Sequence, residues 1–181
     1  HASAASEASS RALLLFMVPT IDLKVKIDLI SYATPSVAPL REWWVQQICE
    51  LAALDARAHY VLHLGSSSDE AAGGWHGALL RKIKHAHEVV ERLPDGSLAL
   101  FSDLDVQPLR PYSELLPTAS GADFVIMREP QPAASDDDVY NSGLWMLNVS
   151  QVTRRLLARW VETYAAALDA RATRAPPRHN G

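Results

Sequence analysis

Leu98-Ala-Leu-Phe-Ser-Asp-Leu-Asp-Val-Gln-Pro-Leu109 is the stretch on which both the predicted fold and the predicted site depend. Its first four residues are apolar, which is typical of a strand buried on both faces of a parallel sheet. The apolar run ends at Asp103 and Asp105, whose carboxylates are separated by a single residue. In an open α/β sheet, ligands bind outside the carboxyl ends of the strands. Paired carboxylates at that position can hold a hard divalent cation, which in turn can hold a diphosphate.

The Asp-x-Asp spacing is not specific by itself, because Asp136 and Asp138 repeat it later in the chain. That second copy lies in a polar, proline-containing segment at 131–138, where a solvated acidic loop is the simpler interpretation. The prediction of a metal site therefore depends on the buried strand that precedes the first copy.

The bulk composition is that of an ordinary globular domain. The 181 residues, 48% of them hydrophobic and 21% charged, suffice for one domain with a proper core. The net charge of −4 and the lack of a dense Lys/Arg run give no reason to expect a nucleic-acid partner. Cys49 is the only cysteine, so no internal disulfide can form. Its place in a predicted helix indicates a buried small hydrophobe.

Apolar spacing predicts an alternation of strands and helices. The predicted strands are 25–32, 59–64, the apolar run at 98–101, 123–127 and 143–147. The predicted helices are 40–56, 79–93 and one capped by Ser150, whose Val152, Leu156, Trp160 and Tyr164 share a face. Segment 66–77 is predicted to be a loop, and the chain from Ala170 onward a fraying tail. This order predicts a single α/β domain at 20–170, with a mostly parallel central sheet flanked by helices and with tails at 1–19 and 171–181.

The first residues bear on the setting of the domain. The chain opens at His1 without an initiator methionine, which is typical of a fragment or a processed product. The apolar run at 13–18 is too short to span a bilayer and lacks a usual cleavage site. A membrane anchor upstream of His1 is compatible with this pattern.

Two further features should converge on the end of the Asp103 strand. Lys82 borders the apolar stripe of the predicted 79–93 helix, so its ammonium can reach an anionic group near the sheet edge. A flanking lysine that only covers apolar surface is the alternative. Tyr140-Asn-Ser-Gly143 leads into the next strand: Gly143 permits a close backbone approach, while a simple turn would explain the same residues.

Together these residues resemble the nucleotide-diphospho-sugar glycosyltransferases of the GT-A fold type. Leu100-Phe-Ser-Asp-Leu-Asp-Val106 looks like their Asp-x-Asp strand. Leu93-Pro-Asp-Gly-Ser-Leu98 is similar to the helix-to-strand connection in the branch that includes procollagen galactosyltransferases. Tyr140-Asn-Ser-Gly-Leu-Trp-Met-Leu-Asn148 resembles the Asn-Ser/Thr-Gly strand that follows the metal site. The resemblance runs from about Ile27 to Trp160 and implies a single GT-A-like domain.

The resemblance implies transfer of a sugar from a nucleotide diphosphate, with UDP as the expected nucleotide, to an acceptor hydroxyl. The acceptor would be a glycan, a protein or a small molecule. The leaving diphosphate accumulates negative charge, which a bound Mn²⁺ or Mg²⁺ neutralises. Carried over by position, Asp105 would be the direct metal ligand. Asp103 would bind the metal partly through water, or would bind the ribose.

The remaining implied roles concern the donor and the acceptor. By the same resemblance, Ser31, Tyr32 and Thr34 would line the nucleotide pocket, and Lys82 would contact phosphate. Asn141, Ser142 and Gly143 would face the donor or acceptor sugar. No general base can be identified, and the family pattern favours retention of configuration. Members of the family usually have further elements beyond the last helix, including a third metal ligand, so donor binding with poor transfer is one expectation for a chain ending at Gly181.

Aromatic and histidine side chains have weaker interpretations. Trp75, in the glycine-rich segment, is the best candidate for stacking on a sugar or a base. His59 and His63 would lie on one face of a strand, where core or edge histidines are a simpler interpretation than a metal pair. Asn148-Val-Ser150 matches an N-glycosylation pattern, and a eukaryotic source would place the chain in the Golgi or the secretory lumen.

Two other function classes remain open from the residues alone. Phosphatases of the haloacid-dehalogenase type also carry Asp-x-Asp after an apolar strand, with the first Asp as nucleophile. Their motif belongs near the start of the domain, whereas two predicted βα units precede it here. The other alternative is a truncated domain that binds a nucleotide sugar without turnover.

Overall fold

Five strands and four α-helices make up the described part of this computed structural model, which covers residues 24–67, 74–128 and 140–174. The strands are β1 (Val25–Ala33), β2 (Ala58–Ser66), β3 (Leu98–Ser102), β4 (Phe124–Arg128) and β5 (Tyr140–Asn148). The α-helices are α1 (Leu40–Leu54), α2 (Gly74–Arg92), α3 (Leu116–Ala119) and α4 (Gln151–Arg174), with short 3₁₀ turns at Pro35–Val37 and Tyr112–Leu115. The predicted tail at 1–19, the apolar run at 13–18 and the second Asp-x-Asp all lie outside the described residues.

The strands form one sheet in the order β2-β1-β3-β5-β4. β1 pairs in parallel with both β2 and β3, while β5 is antiparallel to β3 and to β4. Four of the described strands therefore share one direction, which confirms the mostly parallel sheet. The reversal of β5 has a direct consequence for the site, because it brings the beginning of β5 beside the carboxyl end of β3.

β3 is the centre of the core because it is buried along its whole length. One face packs beneath α1 and the Tyr112–Leu115 turn, and its buried side chains include Ile27, Leu29, Trp44, Ile48, Leu98, Leu100 and Met146. The opposite face packs beneath α2 and α4, and its buried side chains include Ile30, Val89, Val90, Ala99, Phe101, Trp145 and Leu157. The continuous apolar pattern of β3 is explained by these two layers.

Two predicted surfaces are corrected. Val152 and Leu156 were expected on the buried face of α4, but they are 56% and 44% exposed. The face of α4 that packs on the core carries Thr153 and Leu157 instead. The Thr153 hydroxyl donates to the Asn148 carbonyl at 2.8 Å, so a buried polar side chain occupies the position that the apolar pattern missed. Cys49 was expected to be buried, but it is exposed, since α1 turns the neighbouring Ile48 towards the core.

Several predicted boundaries also move. α2 begins at Gly74, inside the segment predicted to be a loop, and β5 begins at Tyr140 rather than at 143. α4 continues to Arg174, so the predicted fraying does not begin at Ala170, while the rest of that predicted tail, 175–181, lies outside the described residues. The Ser150 cap is confirmed, because the Ser150 hydroxyl accepts the Thr153 N–H at 3.2 Å. No helix in the described ranges combines the length and the apolar character needed to cross a membrane.

Asp55 ties the connection between α1 and β2 to the segment before α3. Its carboxylate is buried and accepts hydrogen bonds from the Tyr60 hydroxyl at 2.5 Å and the Ser113 hydroxyl at 2.8 Å. The backbone N–H groups of Arg57 and Ala58 donate to it as well, at 2.9 and 3.2 Å. Burial alone would raise the pKa of Asp55, but these donors outweigh it, and the net pKa is lowered from 3.8.

We expect Asp55→Asn to lower the free energy of unfolding at pH 7 by about 1–3 kcal/mol, because the donors lose their ionised acceptor. The depressed folded-state pKa means that the carboxylate stabilises the protein above the unfolded-state pKa of about 3.9. That contribution is lost as the pH falls through the folded-state value. Urea unfolding from pH 7 to pH 3 should show wild type and variant converging at the acid end.

The exposed Asp169 provides the control, because Asp169→Asn removes a carboxylate of α4 for which no hydrogen bond or ion pair is seen in the described part of the chain. This variant should follow wild type at every pH. A difference between wild type and Asp55→Asn that stays constant down to pH 3 would show that Asp55 does not have a lowered pKa.

Candidate functional site

A cleft of about 450 Å³ opens where β1 and β3 end and β5 begins. Its position outside the carboxyl ends of parallel strands is where ligands bind in open α/β sheets. Seven of the predicted site residues line it together, namely Tyr32, Thr34, Lys82, Asp103, Asp105, Asn141 and Ser142. Residues more than a hundred positions apart are thus brought to one edge of the sheet.

Asp103 is the first residue after β3, and its side chain is held from several directions. Its backbone N–H donates to the Gly143 carbonyl at 2.8 Å, which continues the pairing of β3 with β5. Its two carboxylate oxygens both accept from the Lys82 ammonium, at 2.9 and 2.8 Å. That ammonium also lies 5.2 Å from the centre of the Phe101 ring, a favourable cation–π position. The Lys82 ammonium therefore interacts both with the Asp103 carboxylate and with the ring of Phe101.

Electrostatics couple the two carboxylates of the Asp-x-Asp. Burial raises the pKa of Asp103, the Lys82 ammonium lowers it, the nearby Asp105 charge raises it, and the net result is a raised pKa. Asp105 itself is exposed, and within the described part of the chain its carboxylate has no hydrogen-bond or ion-pair partner. Like charges brought together in this way are stabilised by a cation placed between them.

Two carboxylates in the cleft could act as ligands of a hard divalent cation. They belong to Asp103 and Asp105. Among the described residues, no group of three or more histidine, cysteine or acidic side chains is arranged to hold a metal. Mg²⁺ is usually bound through one or two carboxylates and substrate phosphates.

Position 143, in the Asn-Ser-Gly segment of β5, has no room for a side chain. A Cβ atom added to Gly143 would lie 2.8 Å from the Asn141 Oδ1 atom and 3.1 Å from the Asp103 Oδ2 atom. The Asn141 side chain also accepts the Gly143 N–H at 2.6 Å, which fixes the start of the strand. Gly143 was expected to face the donor or acceptor sugar, but it is buried behind Asp103 and does not line the cleft, so its role is to leave room for the carboxylate.

We expect Gly143→Ala to weaken the predicted metal-dependent nucleotide binding several-fold, because the added Cβ atom forces the Asn141 side chain to move and the Asp103 carboxylate to give by a few tenths of an ångström. The added methyl group would push the Asp103 carboxylate away from its present position. Calorimetric titration with UDP and Mn²⁺ measures this loss, and urea unfolding shows whether the fold survives. Unchanged affinity in a folded variant would contradict the close approach seen here.

The two walls of the cleft carry aromatic side chains. Tyr32, at the end of β1, packs against the ring of His85 at 5.6 Å, and Gly65 leaves the space that both rings use. Burial lowers the pKa of His85, which favours its neutral form beside Tyr32. On α2, Trp75 lines the same cleft and is 71% exposed. Its exposed face is available for stacking on a ring.

The expectation for Ser31 is wrong. Ser31 is fully buried and absent from the cleft lining, and its hydroxyl donates to the Ser102 carbonyl at 2.7 Å. The Tyr112 hydroxyl donates to the Ser102 hydroxyl at 3.1 Å, so these groups fasten the ends of β1 and β3 beneath the site. Because β1 is buried on both faces, its apolar pattern could not show on which side Ser31 lies.

Sequence reasoning missed the first turn of α2, which faces the cleft. Trp75, Ala78, Leu79 and Lys82 occupy positions i, i+3, i+4 and i+7, so they share one face of the helix. That spacing could have identified the turn, but the glycines around it indicated a loop.

His63 was interpreted as a core or edge residue, and its Nε2 atom lies 2.8 Å from the buried Asp28 carboxylate. Neither residue lines the cleft.

No protein-family model and no curated protein sequence matches the chain. Among solved structures, it is similar to a glycosyltransferase involved in the glycosylation of the major capsid of PBCV-1, with a TM-score of 0.54 and 14% identity over 75% of this chain and 65% of that one. It also matches the galactosyltransferase LgtC in complex with donor and acceptor sugar analogs, with a TM-score of 0.47 and 16% identity over 77% of this chain and 65% of that one.

The first of these likenesses shows the fold. At 14% identity it carries no information about substrate, and the chain spans 65% of the length of each of these structures. The predicted GT-A-type α/β fold is confirmed, with a mostly parallel sheet covered by helices on both faces.

Proposed function

We propose that this protein, whose fold is that of the GT-A glycosyltransferases, transfers a sugar from a nucleotide diphosphate to an acceptor hydroxyl. The donor is a UDP-sugar, the cation is Mn²⁺ or Mg²⁺, and the acceptor is a glycan, a protein or a small molecule. The observation that supports this most is the meeting of Asp103, Asp105 and Lys82 in one cleft at the end of the buried strand β3. That arrangement combines the charges needed to bind a cation and a diphosphate.

The chemistry follows from charge balance. The bond between the anomeric carbon and the diphosphate oxygen breaks, and its electron pair stays on the diphosphate. The acceptor oxygen forms the new bond to that carbon and gives up its proton. Asp103 and Asp105 would hold a divalent cation, which would supply Lewis-acid stabilisation of the leaving group when bound. The Lys82 ammonium adds a second positive charge within reach of the same diphosphate.

The shape of the cleft suggests how the donor lies. Its volume of about 450 Å³ falls within the range of about 300–1,000 Å³ usual for small-molecule sites. Tyr32 and Thr34 would bound the nucleoside at the end of β1, while Trp75 would stack on a ring from the side of α2. Asn141 and Ser142, at the start of β5, would then face the donor or acceptor sugar.

We expect retention of the anomeric configuration. Inversion needs a general base to take the acceptor proton. Among the described residues that line the cleft, Asp103 and Asp105 are the only carboxylates, and no histidine lines it. We propose that a diphosphate oxygen takes that proton, which is the configuration-retaining route that the family resemblance favours. Proton NMR of the first-formed product reports the configuration directly.

The experiment that tests the proposal is a melting series with a panel of nucleotides and nucleotide sugars. We expect UDP and one UDP-sugar to raise the melting temperature only when Mn²⁺ or Mg²⁺ is present, with EDTA abolishing the shift. A ligand at 100 times its Kd stabilises a protein by about 2.7 kcal/mol, which is easily detected. Stabilisation by UDP that persists in EDTA would contradict a metal-dependent site.

The same preparation separates the alternatives. Turnover of p-nitrophenyl phosphate with Mg²⁺, abolished by Asp103→Asn, would identify a phosphatase. UDP-sugar binding without hydrolysis or transfer would identify a binding domain. For a eukaryotic source we propose the Golgi or the secretory lumen, where nucleotide sugars are used, and fractionation with an antibody against the chain tests this.

A further inference from the structure

Lys82 occupies the edge of Asp103 that a cation would use. Its Nζ atom lies 2.9 and 2.8 Å from the two oxygens of the same carboxylate, so both oxygens accept a hydrogen bond from the ammonium. The side chains are only 13% and 28% exposed, and screening by water and salt is correspondingly weak. An ammonium group and a divalent cation cannot both occupy this edge of the carboxylate.

The surroundings allow Lys82 to move while Asp103 stays in place. Asp103 is anchored through its backbone to Gly143, whereas Lys82 reaches the cleft on four flexible methylene carbons. Both residues line the same cleft, so a phosphate bound there lies within the range of the ammonium. Asp105, two positions further on, has no partner of its own in the described part of the chain.

We infer that Lys82 competes with the divalent cation for Asp103 and transfers its ammonium to the diphosphate when the metal and the nucleotide bind together. This inference rests on the proposed function. A metal entering alone would displace a largely buried ammonium from the carboxylate that is its ion-pair partner. A metal entering with a diphosphate provides a new anionic partner, so each ligand should raise the affinity for the other.

The competition predicts effects of opposite sign when Lys82 is removed. Without the lysine, both carboxylates are free to bind Mn²⁺, so the affinity for Mn²⁺ alone should rise. The diphosphate loses its ammonium contact at the same time, so the affinity for UDP at saturating Mn²⁺ should fall. A lysine with a purely structural role would weaken both, since a distorted site binds neither ligand well.

The experiment compares Lys82→Met with Lys84→Met, which removes the same charge from an exposed position on the same helix. Electron paramagnetic resonance measures free Mn²⁺ without nucleotide, and calorimetry measures UDP binding at saturating Mn²⁺. For Lys82→Met we expect Mn²⁺ binding about 10-fold tighter and UDP binding about 10-fold weaker, as for one charge-assisted hydrogen bond. Lys84→Met should stay within about twofold of wild type, the scatter allowed for a screened surface charge. Lys82→Gln, which keeps a polar head, is measured beside Lys82→Met in case the latter does not fold.

The outcomes separate this inference from the proposed function. If wild type binds UDP in the presence of Mn²⁺ but both Lys82 variants bind Mn²⁺ alone no more tightly than wild type, the competition is overturned and the metal site stands. If wild type binds no UDP at any Mn²⁺ concentration, the proposed function fails and takes the inference with it. Opposite shifts for Mn²⁺ and UDP in a folded Lys82 variant support the exchange.

Discussion

Replacing Asp105 with alanine is expected to weaken UDP binding in the presence of Mn²⁺ by at least about 100-fold, while the fold remains intact. Changing residues that only support a metal ligand costs 10–100-fold in affinity, so losing the ligand itself should cost at least the upper value. The fold should survive because Asp105 is exposed and its side chain makes no hydrogen bond or ion pair in the described part of the chain. Calorimetry with UDP, at fixed Mn²⁺ and in EDTA, measures the effect.

The control for this variant is Asp169→Ala, which removes an exposed carboxylate outside the cleft. Its affinity for UDP should match that of wild type, and the melting temperatures of both variants without ligand should agree within about a degree of wild type, as is usual for surface substitutions. If Asp105→Ala keeps Mn²⁺-dependent UDP binding within threefold of wild type, Asp105 does not hold the cation.

The largest effect on stability is expected for Trp145→Ala, at about 3–5 kcal/mol of unfolding free energy. The Trp145 ring stacks on Phe101 with centroids 5.2 Å apart, and it also contacts the rings of Phe124 and Trp160 at 5.7 and 6.0 Å. It therefore joins β3, β4, β5 and α4 on one face of the sheet. Because a domain of this kind has a total stability of about 5–15 kcal/mol, the loss could leave it barely folded.

Trp43→Ala is the matched control, because Trp43 is 38% exposed on α1 whereas Trp145 is 2% exposed. We expect a loss of under about 1.5 kcal/mol for Trp43, in proportion to its smaller buried area. Urea unfolding followed by far-ultraviolet circular dichroism measures both variants. Similar losses for the two tryptophans would mean that the aromatic cluster around Trp145 is not the centre of this face.

The parts of the fold that could be predicted from sequence are those where one physical cause decides. A strand buried on both faces is apolar throughout, and the stretch before Asp103 is read correctly for that reason. The position of Asp103 and Asp105 in a cleft then follows from the general rule for ligand binding in open sheets. The antiparallel direction of β5 could not be predicted, because a strand has the same apolar pattern in either direction.

The errors have equally local causes. Ser31 was misplaced because neighbouring positions of a doubly buried strand look alike, and only the partner carbonyl of Ser102 shows where its hydroxyl goes. The first turn of α2 was missed because Gly74 and Gly77 have low helix propensity. That turn is held by tertiary contacts: the His76 Nδ1 atom lies 2.9 Å from the Tyr164 hydroxyl of α4. Contacts between residues so distant in sequence cannot be deduced from either segment alone.

Anomalous diffraction at the manganese edge, from crystals grown with Mn²⁺ and UDP, would locate the cation relative to Asp103 and Asp105. We predict a manganese peak in contact with an Asp105 carboxylate oxygen and with the diphosphate, and we expect Lys82 Nζ to have turned from Asp103 towards a phosphate oxygen. A manganese peak elsewhere, or a diphosphate bound away from Asp103 and Asp105, would contradict this prediction.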